Sequence, residues 1–314
     1  MQPLLIILGP TASGKTNLAT RICKHLDGEL ISADSRQIYR NMDIGTGKDL
    51  EEYNLDGYQV PYHLINIQDA GTQYNVNEFQ KDFKMAYDQI EGRKKTTVVC
   101  GGTGFYLHSI LSGYAYSAIP VNEVLRNELQ PLDPTELLNL FKQYTTPYST
   151  IADVSTKKRL IRAIEISAFL ESNPEKKIAW AEAKEGYPAV IYGLNPPVEV
   201  RRERISKRLR QRLESGMVEE VQALLNNGLH ADQLIYYGLE YKYITLYLTG
   251  QITYPDMVVK LETEIHRFAK RQMTFFRKME KDGMHIHWLD TNKNVDQQVE
   301  YVAKDYIEQL TNFN

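Results

Sequence analysis

Cysteine is scarce: Cys23 and Cys100 are the two present, far apart and without His or Cys neighbours at metal-ligand spacing. That excludes a disulfide scaffold, gives no reason to expect a zinc site, and fits a reducing compartment. Long apolar runs are missing as well. The run at Leu4 to Leu8 leads straight into a glycine-rich loop and is too short for a signal peptide or a membrane span. The expected compartment is the cytoplasm, with no membrane partner. Neither sign of charge dominates: 37 Lys and Arg stand against 40 Asp and Glu, a formal charge of −3. Nothing therefore draws the whole molecule to nucleic acid, and such a contact would need local basic faces. Two exist. One runs from Arg201 to Arg212, where seven of twelve residues are Arg or Lys; the other carries Arg267, Lys270, Arg271, Arg277 and Lys278.

With 42% hydrophobic and 25% charged residues, and neither internal repeats nor low-complexity segments, the composition is that of an ordinary globular protein. The 314 residues exceed a comfortable single core, which suggests two domains or one with an insertion. Leu4 to Leu8, Leu30 to Ala33, His63 to Ile67 and Thr97 to Cys100 read as strands alternating with helical patterns, which implies a parallel sheet. From about Ser117 to Gly186 the pattern is helical only, broken at Asp133 and Pro134, at Pro147, and at Asn173 and Pro174. A strand returns at Ala189 to Leu194. A long amphipathic helix then carries Ile205, Leu209, Leu213 and Met217 at spacing four, and a short run closes the series at His287 to Leu289. The expected fold is α/β, a parallel sheet flanked by helices over 1–116 and 187–314, with an inserted all-helical domain over 117–186.

Gly9, Pro10, Thr11, Ala12, Ser13, Gly14, Lys15 and Thr16 match G-x-x-x-x-G-K-[ST], between a strand and a helix, the context a P-loop requires. Gly9 and Gly14 let backbone approach an anion. Successive N–H groups point at it, Lys15 adds a point charge and Thr16 can ligate magnesium. A ligand-free glycine-rich turn is the plain alternative. The loop reads charge and shape, so it does not say whether the phosphate belongs to a nucleotide. Asp34, which ends the second strand, is open to three readings: a metal ligand in a kinase or NTPase, an acid–base group, or a helix cap or turn residue.

Three blocks resemble the tRNA dimethylallyltransferase family, which looks like a P-loop NTPase fold put to prenyl transfer: Gly9 to Thr16, Ile31 to Tyr39 continuing to Met42 to Thr46, and Gly101 to Tyr106. Weaker similarity covers Lys158 to Glu165, Arg204, Ile205 and Arg208, and Ala269 to Gln272. The resemblance implies transfer of a dimethylallyl group from dimethylallyl diphosphate to N6 of the adenosine 3′ to the anticodon in tRNA, with Mg2+ and by a monomer. Under it the diphosphate lies on Gly9, Thr11, Ala12, Ser13, Gly14, Lys15, Thr16 and Arg208, with the metal on Thr16. Asp34 is the base that removes the amine proton, and Thr103 holds the target amine or ribose. The tRNA meets Asp34, Ser35, Arg36, Gln37, Thr103, Arg126, Lys158, Arg159, Leu160, Ile161 and Arg162. The amide of Gln37 suits an adenine edge, and a stacked adenine has to be flipped out to reach the pocket.

Taken by themselves, several of these residues read otherwise. Arg201, Arg204, Arg208 and Arg212 form a face opposite an apolar stripe, as a solvated helix would. Thr103 suits a local turn, and Lys270, Arg271 and Arg277 among Phe268, Phe275 and Phe276 suit an amphipathic helix with a basic rim. A prenyltransferase of free adenine nucleotides, or a P-loop kinase or NTPase, uses the same loop. The chain departs from the family at Tyr236 to Tyr243, where a Gly-Tyr-Lys-Glu-like segment is usual, and at Val154, Ser155 and Thr156, where Asn-Asp is usual.

Overall fold

A computed structural model describes residues 2–113, 116, 119–174 and 186–313. In chain order the elements begin with β1 (Leu4–Leu8), α1 (Lys15–His25), β2 (Gly28–Ser32), a hairpin of β3 (Asn54–Leu55) and β4 (Tyr58–Gln59), and β5 (Tyr62–His63). Then come α2 (Val76–Gly92), β6 (Thr96–Gly101), α3 (Gly104–Leu111), α4 (Glu123–Leu129), α5 (Pro134–Phe141) and α6 (Lys157–Ser172). The chain continues with β7 (Ala189–Gly193), α7 (Val198–Glu214), α8 (Met217–Asn226), α9 (Ala231–Tyr236) and α10 (Leu239–Leu248), and ends with α11 (Tyr254–Lys281), β8 (Ile286–Trp288) and α12 (Val295–Phe313).

Six strands form one parallel sheet in the order β5-β2-β6-β1-β7-β8. β1 and β2 are buried at every position, the signature of strands covered on both faces. Leu18, Ile22 and Cys23 of α1 pack with Val299, Val302 and Tyr306 of α12 over Leu5, Ile7, Val98 and Cys100 of the sheet. α2 brings Phe79, Phe83 and Tyr87 against Tyr106 and Tyr187. Both thiols are buried, and burial raises them, Cys100 to about 12. Among the described residues no helix is long and apolar enough to cross a membrane.

Three expectations are corrected. The strand expected over His63 to Ile67 stops at His63, because Leu64 (φ 61°) and Asn66 (φ 57°) take left-handed backbone that a strand cannot hold. The long helix ends at Glu214, and Gly216 (φ 97°) starts a new one, so Met217 belongs to α8 although its spacing continues the stripe of α7. The boundary expected after 116 lies earlier: the compact units are Met1–His108 with Tyr187–Asn314, and Ser109–Gly186. Described residues of the second unit contain helices and no strand. Its core gathers Leu129, Leu137, Phe141, Leu160, Ile161 and Ile164. The break at Asp133 and Pro134 is a capping box: Asp133 accepts from the N–H groups of Thr135 and Glu136, and Glu136 accepts from the N–H of Asp133.

Candidate active site

β1 opens into the phosphate loop through Ala12 (φ 60°) and Gly14 (φ 89°). α2 is closed by a capping box on Asn75, whereas α1 has neither a side-chain cap nor an acidic residue in its first turn. Its first N–H groups and the positive end of its dipole are thus offered to an anion. Gly9 is required by close approach: a Cβ there would stand 2.8 Å from the carbonyl oxygen of Leu194 and 2.7 Å from Oγ of Ser13. That Oγ is buried and makes no hydrogen bond among the described residues. Burial lowers the ammonium of Lys15 from its usual range, with Cys100 and Asp34 opposing.

Because β2 and β1 flank β6, the segments that follow these three strands meet at their carboxyl ends, where open α/β sheets bind ligands. Asp34 follows β2; one carboxylate oxygen accepts from the N–H of Arg36 at 2.9 Å, so the turn reading is satisfied by Oδ1. Thr103 follows β6, and its Oγ1 accepts from the N–H of Ser35 at 3.1 Å. Asp34, Thr103 and the phosphate loop line one cleft of about 1020 Å³, together with Arg36, Arg208, Arg271 and Phe275.

Arg208 and Arg212 turn into this cleft, not onto a solvated face, and both bond Asp49. Burial raises the Asp49 carboxyl, but the two guanidiniums outweigh it and hold the group below its usual range. Arg201 is also buried and donates to Asn195 at 3.2 Å, while Arg204 is exposed. Two further carboxylates, Glu52 and Glu240, line the cleft and are raised by burial.

Other predicted residues are engaged within the chain. The Gln37 amide accepts from the Ser32 hydroxyl (2.9 Å) and donates to the Gly47 carbonyl (3.0 Å), so it fastens the end of β2 to the Gly47 loop. The N–H of Thr11 donates to Gln272 Oε1 at 2.8 Å and is thus not a free phosphate donor. In the second unit, Arg126 and Arg162 bond the buried Glu165, and Arg159 pairs with Asp153. Lys158 and Arg159 are exposed, whereas Leu160 and Ile161 are buried, so the latter two side chains serve packing.

Sequence reasoning gave no role to Asp49, Glu220, Tyr237, Tyr241 or Gln272. Glu220 accepts the N–H groups of Asp43, Ile44 and Gly45 and the hydroxyl of Tyr241, pinning the loop that leads to Asp49. Tyr237 accepts from the N–H of Gly71 and donates to the carbonyl of Thr72. The tyrosine segment is therefore largely packing, with Tyr236 exposed under the guanidinium of Arg36. The signal for Gln272 was its place in the Ala269 to Gln272 block; the others are long-range partners with no local mark.

The IPP transferase profile matches residues 37–279, and an isopentenyl transferase profile matches residues 2–68. A protein of Bacteroides fragilis called tRNA dimethylallyltransferase 2 is 50% identical over 96% of this chain and 97% of its own. One of Porphyromonas gingivalis called tRNA dimethylallyltransferase 1 is 49% identical over 96% of this chain and 99% of its own. Among solved structures, the tRNA isopentenylpyrophosphate transferase of Bacillus halodurans superposes with a TM-score of 0.72 at 30% identity, covering 99% of this chain and 98% of that one. A eukaryotic dimethylallyltransferase acting on tRNA shares the fold, with a TM-score of 0.78 at 21% identity over 98% of this chain and 80% of that one. By profile and by near full-length identity, the chain belongs to the tRNA dimethylallyltransferase family.

Proposed function

We propose that the cleft transfers a dimethylallyl group from dimethylallyl diphosphate to N6 of the adenosine 3′ to the anticodon in tRNA. The observation that carries this is the shared cleft: an uncapped helix N-terminus with Lys15 stands in it together with Asp34 and Thr103. As the allylic C–O bond breaks, its electron pair leaves with the diphosphate. Loop N–H groups, Lys15 and Arg208 meet the growing charge, stabilising the transition state more than the ground state. The N6 lone pair attacks the allylic carbon, and Asp34 takes the proton that the nitrogen sheds, since an amine delocalised into the ring needs such a base. Oδ2 of Asp34 is the oxygen for that step, because Oδ1 holds the turn. Thr103 is fixed beside it through the N–H of Ser35.

Magnesium belongs to this reading. No group of three acidic, His or Cys side chains suited to a metal occurs among the described residues. Mg2+ keeps waters and binds through one or two protein oxygens plus substrate phosphates, so the Thr16 hydroxyl beside a bound diphosphate would be enough to hold it. Thr16 is the residue to hold it, and bound there it supplies charge neutralisation at the diphosphate. The exposed Lys158 and Arg159 suit a phosphate backbone. The same reading has the chain act in the cytoplasm as a monomer.

The test is label transfer from dimethylallyl diphosphate with magnesium, offering unmodified tRNA in one tube and free adenine nucleotides in another. Label on tRNA adenosine is expected. With Asp34→Ala, transfer falls by roughly 100-fold or more while diphosphate binding persists; Lys15→Ala weakens that binding itself. Label on free nucleotide alone would replace the acceptor, and full turnover by Asp34→Ala would remove the base.

A further inference from the structure

Gln272 is buried, 7% exposed, on the 28-residue α11. Its Oε1 accepts from the N–H of Thr11 at 2.8 Å and its Nε2 donates to the carbonyl of Gly102 at 2.9 Å. The amide therefore spans the two loops the reaction uses: the phosphate loop on one side, and the turn that carries Thr103 on the other. We propose that Gln272 is a positioning residue that sets the Thr103 turn against the diphosphate site, an inference that rests on the prenyl-transfer reading.

The geometry of the turn supports this. A Cβ on Gly102 would stand 2.4 Å from Nε2 of Gln272, and one on Gly104 would stand 2.3 Å from Cδ1 of Phe275. The two glycines on either side of Thr103 are thus seated directly against side chains of α11, which a Cβ at either position would displace. Thr103 transmits the placement onward. Its N–H donates to the carbonyl of Ala33 and its hydroxyl accepts from the N–H of Ser35, the residues on either side of Asp34. The phosphate loop at Thr11, Gln272, the Gly102–Thr103 turn and the backbone on either side of Asp34 form one hydrogen-bonded series. The amide chemistry is specific. Gln offers an acceptor at one end and donors at the other, whereas Glu accepts only and Met does neither at comparable length.

Two variants test the proposal: Gln272→Met, which removes both bonds, and Gln272→Glu, which keeps the acceptor for Thr11 and removes the donor to Gly102. Both are assayed with dimethylallyl diphosphate and tRNA, with binding of inorganic pyrophosphate read by calorimetry and folding by thermal melting. The expected result is a fall in kcat on the order of 100-fold in Gln272→Met, the scale of a small misplacement of reacting groups, with pyrophosphate affinity nearly unchanged. Gln272→Glu loses as much, because the Gly102 end is the one that reaches Thr103. Should Gln272→Met fail to fold, Gln272→Glu carries the test. A folded variant with wild-type kcat overturns the proposal. So does loss of pyrophosphate binding in proportion to kcat, which would make Gln272 a support of the phosphate loop alone. A wild-type chain that leaves tRNA unprenylated overturns the parent reading first, and this one with it.

Discussion

Each of the two units holds a pair of arginines on one carboxylate, and the pairs are built differently. In the helical unit, Glu165 has no exposed side-chain surface and binds Arg126 and Arg162; it also accepts the N–H of Asn122 at 2.9 Å. Arg162 is further fixed to the carbonyls of Ile119 and Pro120. In the sheet unit, Asp49 keeps 30% of its side chain exposed, stands on left-handed backbone (φ 45°), and faces the cleft with Arg208 and Arg212. The first arrangement is closed, with its charges committed to each other and to backbone. The second is open, and under the proposed function an arriving diphosphate would compete with Asp49 for the same guanidiniums. Charge counting makes the two alike; burial and remaining partners make one a closed structural knot and leave the other open to the cleft.

The closed knot breaks expensively. Replacing both Arg126 and Arg162 by Met strands the Glu165 carboxylate in an apolar core, and the expected loss of stability is about 3–5 kcal/mol, read from denaturant unfolding. A loss near zero would show that Glu165 reaches water. The open pair gives the opposite pattern. Asp49→Asn costs about 1 kcal/mol of stability or less. It removes the carboxylate bonded to Arg208 and Arg212, so pyrophosphate binds more tightly, by roughly fivefold in calorimetry, a gain of about 1 kcal/mol. Weaker binding in that variant would mean that Asp49 aims the arginines and does not compete with the ligand.

A third carboxylate sharpens the contrast with a smaller effect. On β2, Glu29 accepts two bonds from Arg93, each 2.7 Å, and lies 2.7 Å from His63. The Arg93 bonds hold its carboxyl below 4.5 against its burial. A carboxyl depressed on folding contributes stability that is complete above its unfolded value and lost as pH falls through the lower folded one. Melting temperature should therefore drop on acidification below 4.5, and Glu29→Gln should flatten that drop. With Arg93 half in water, the contribution is on the order of 1 kcal/mol.

What the sequence revealed follows from how local each feature is. The phosphate loop is one contiguous segment whose spacing is its geometry, and Asp34 and Thr103 are legible because each follows a readable strand. The bonds of Gln37 to Ser32 and Gly47 had no mark in the sequence, because an amide suits an adenine edge and a backbone carbonyl equally well. The solvated-face reading of Arg208 and Arg212 failed because Asp49, their partner, lies 159 and 163 residues away. Leu64 and Asn66 carry strand-like neighbours but take backbone that no propensity announces. The interior of the helical unit was legible as helices and breaks, whereas the burial of Leu160 and Ile161 depends on helices packed from elsewhere in it.

The bond between Thr11 and Gln272 joins residues 261 apart, which gives the site a date of birth. Chains emerge from the ribosome amino end first and their parts fold as they appear. A nascent chain that has not reached Tyr254 already carries the phosphate loop, Asp34 and Thr103, yet has no α11 to seat the Thr103 turn. α12, which covers α1 behind the phosphate loop, is made later still, so the cleft is complete only after both helices have left the ribosome.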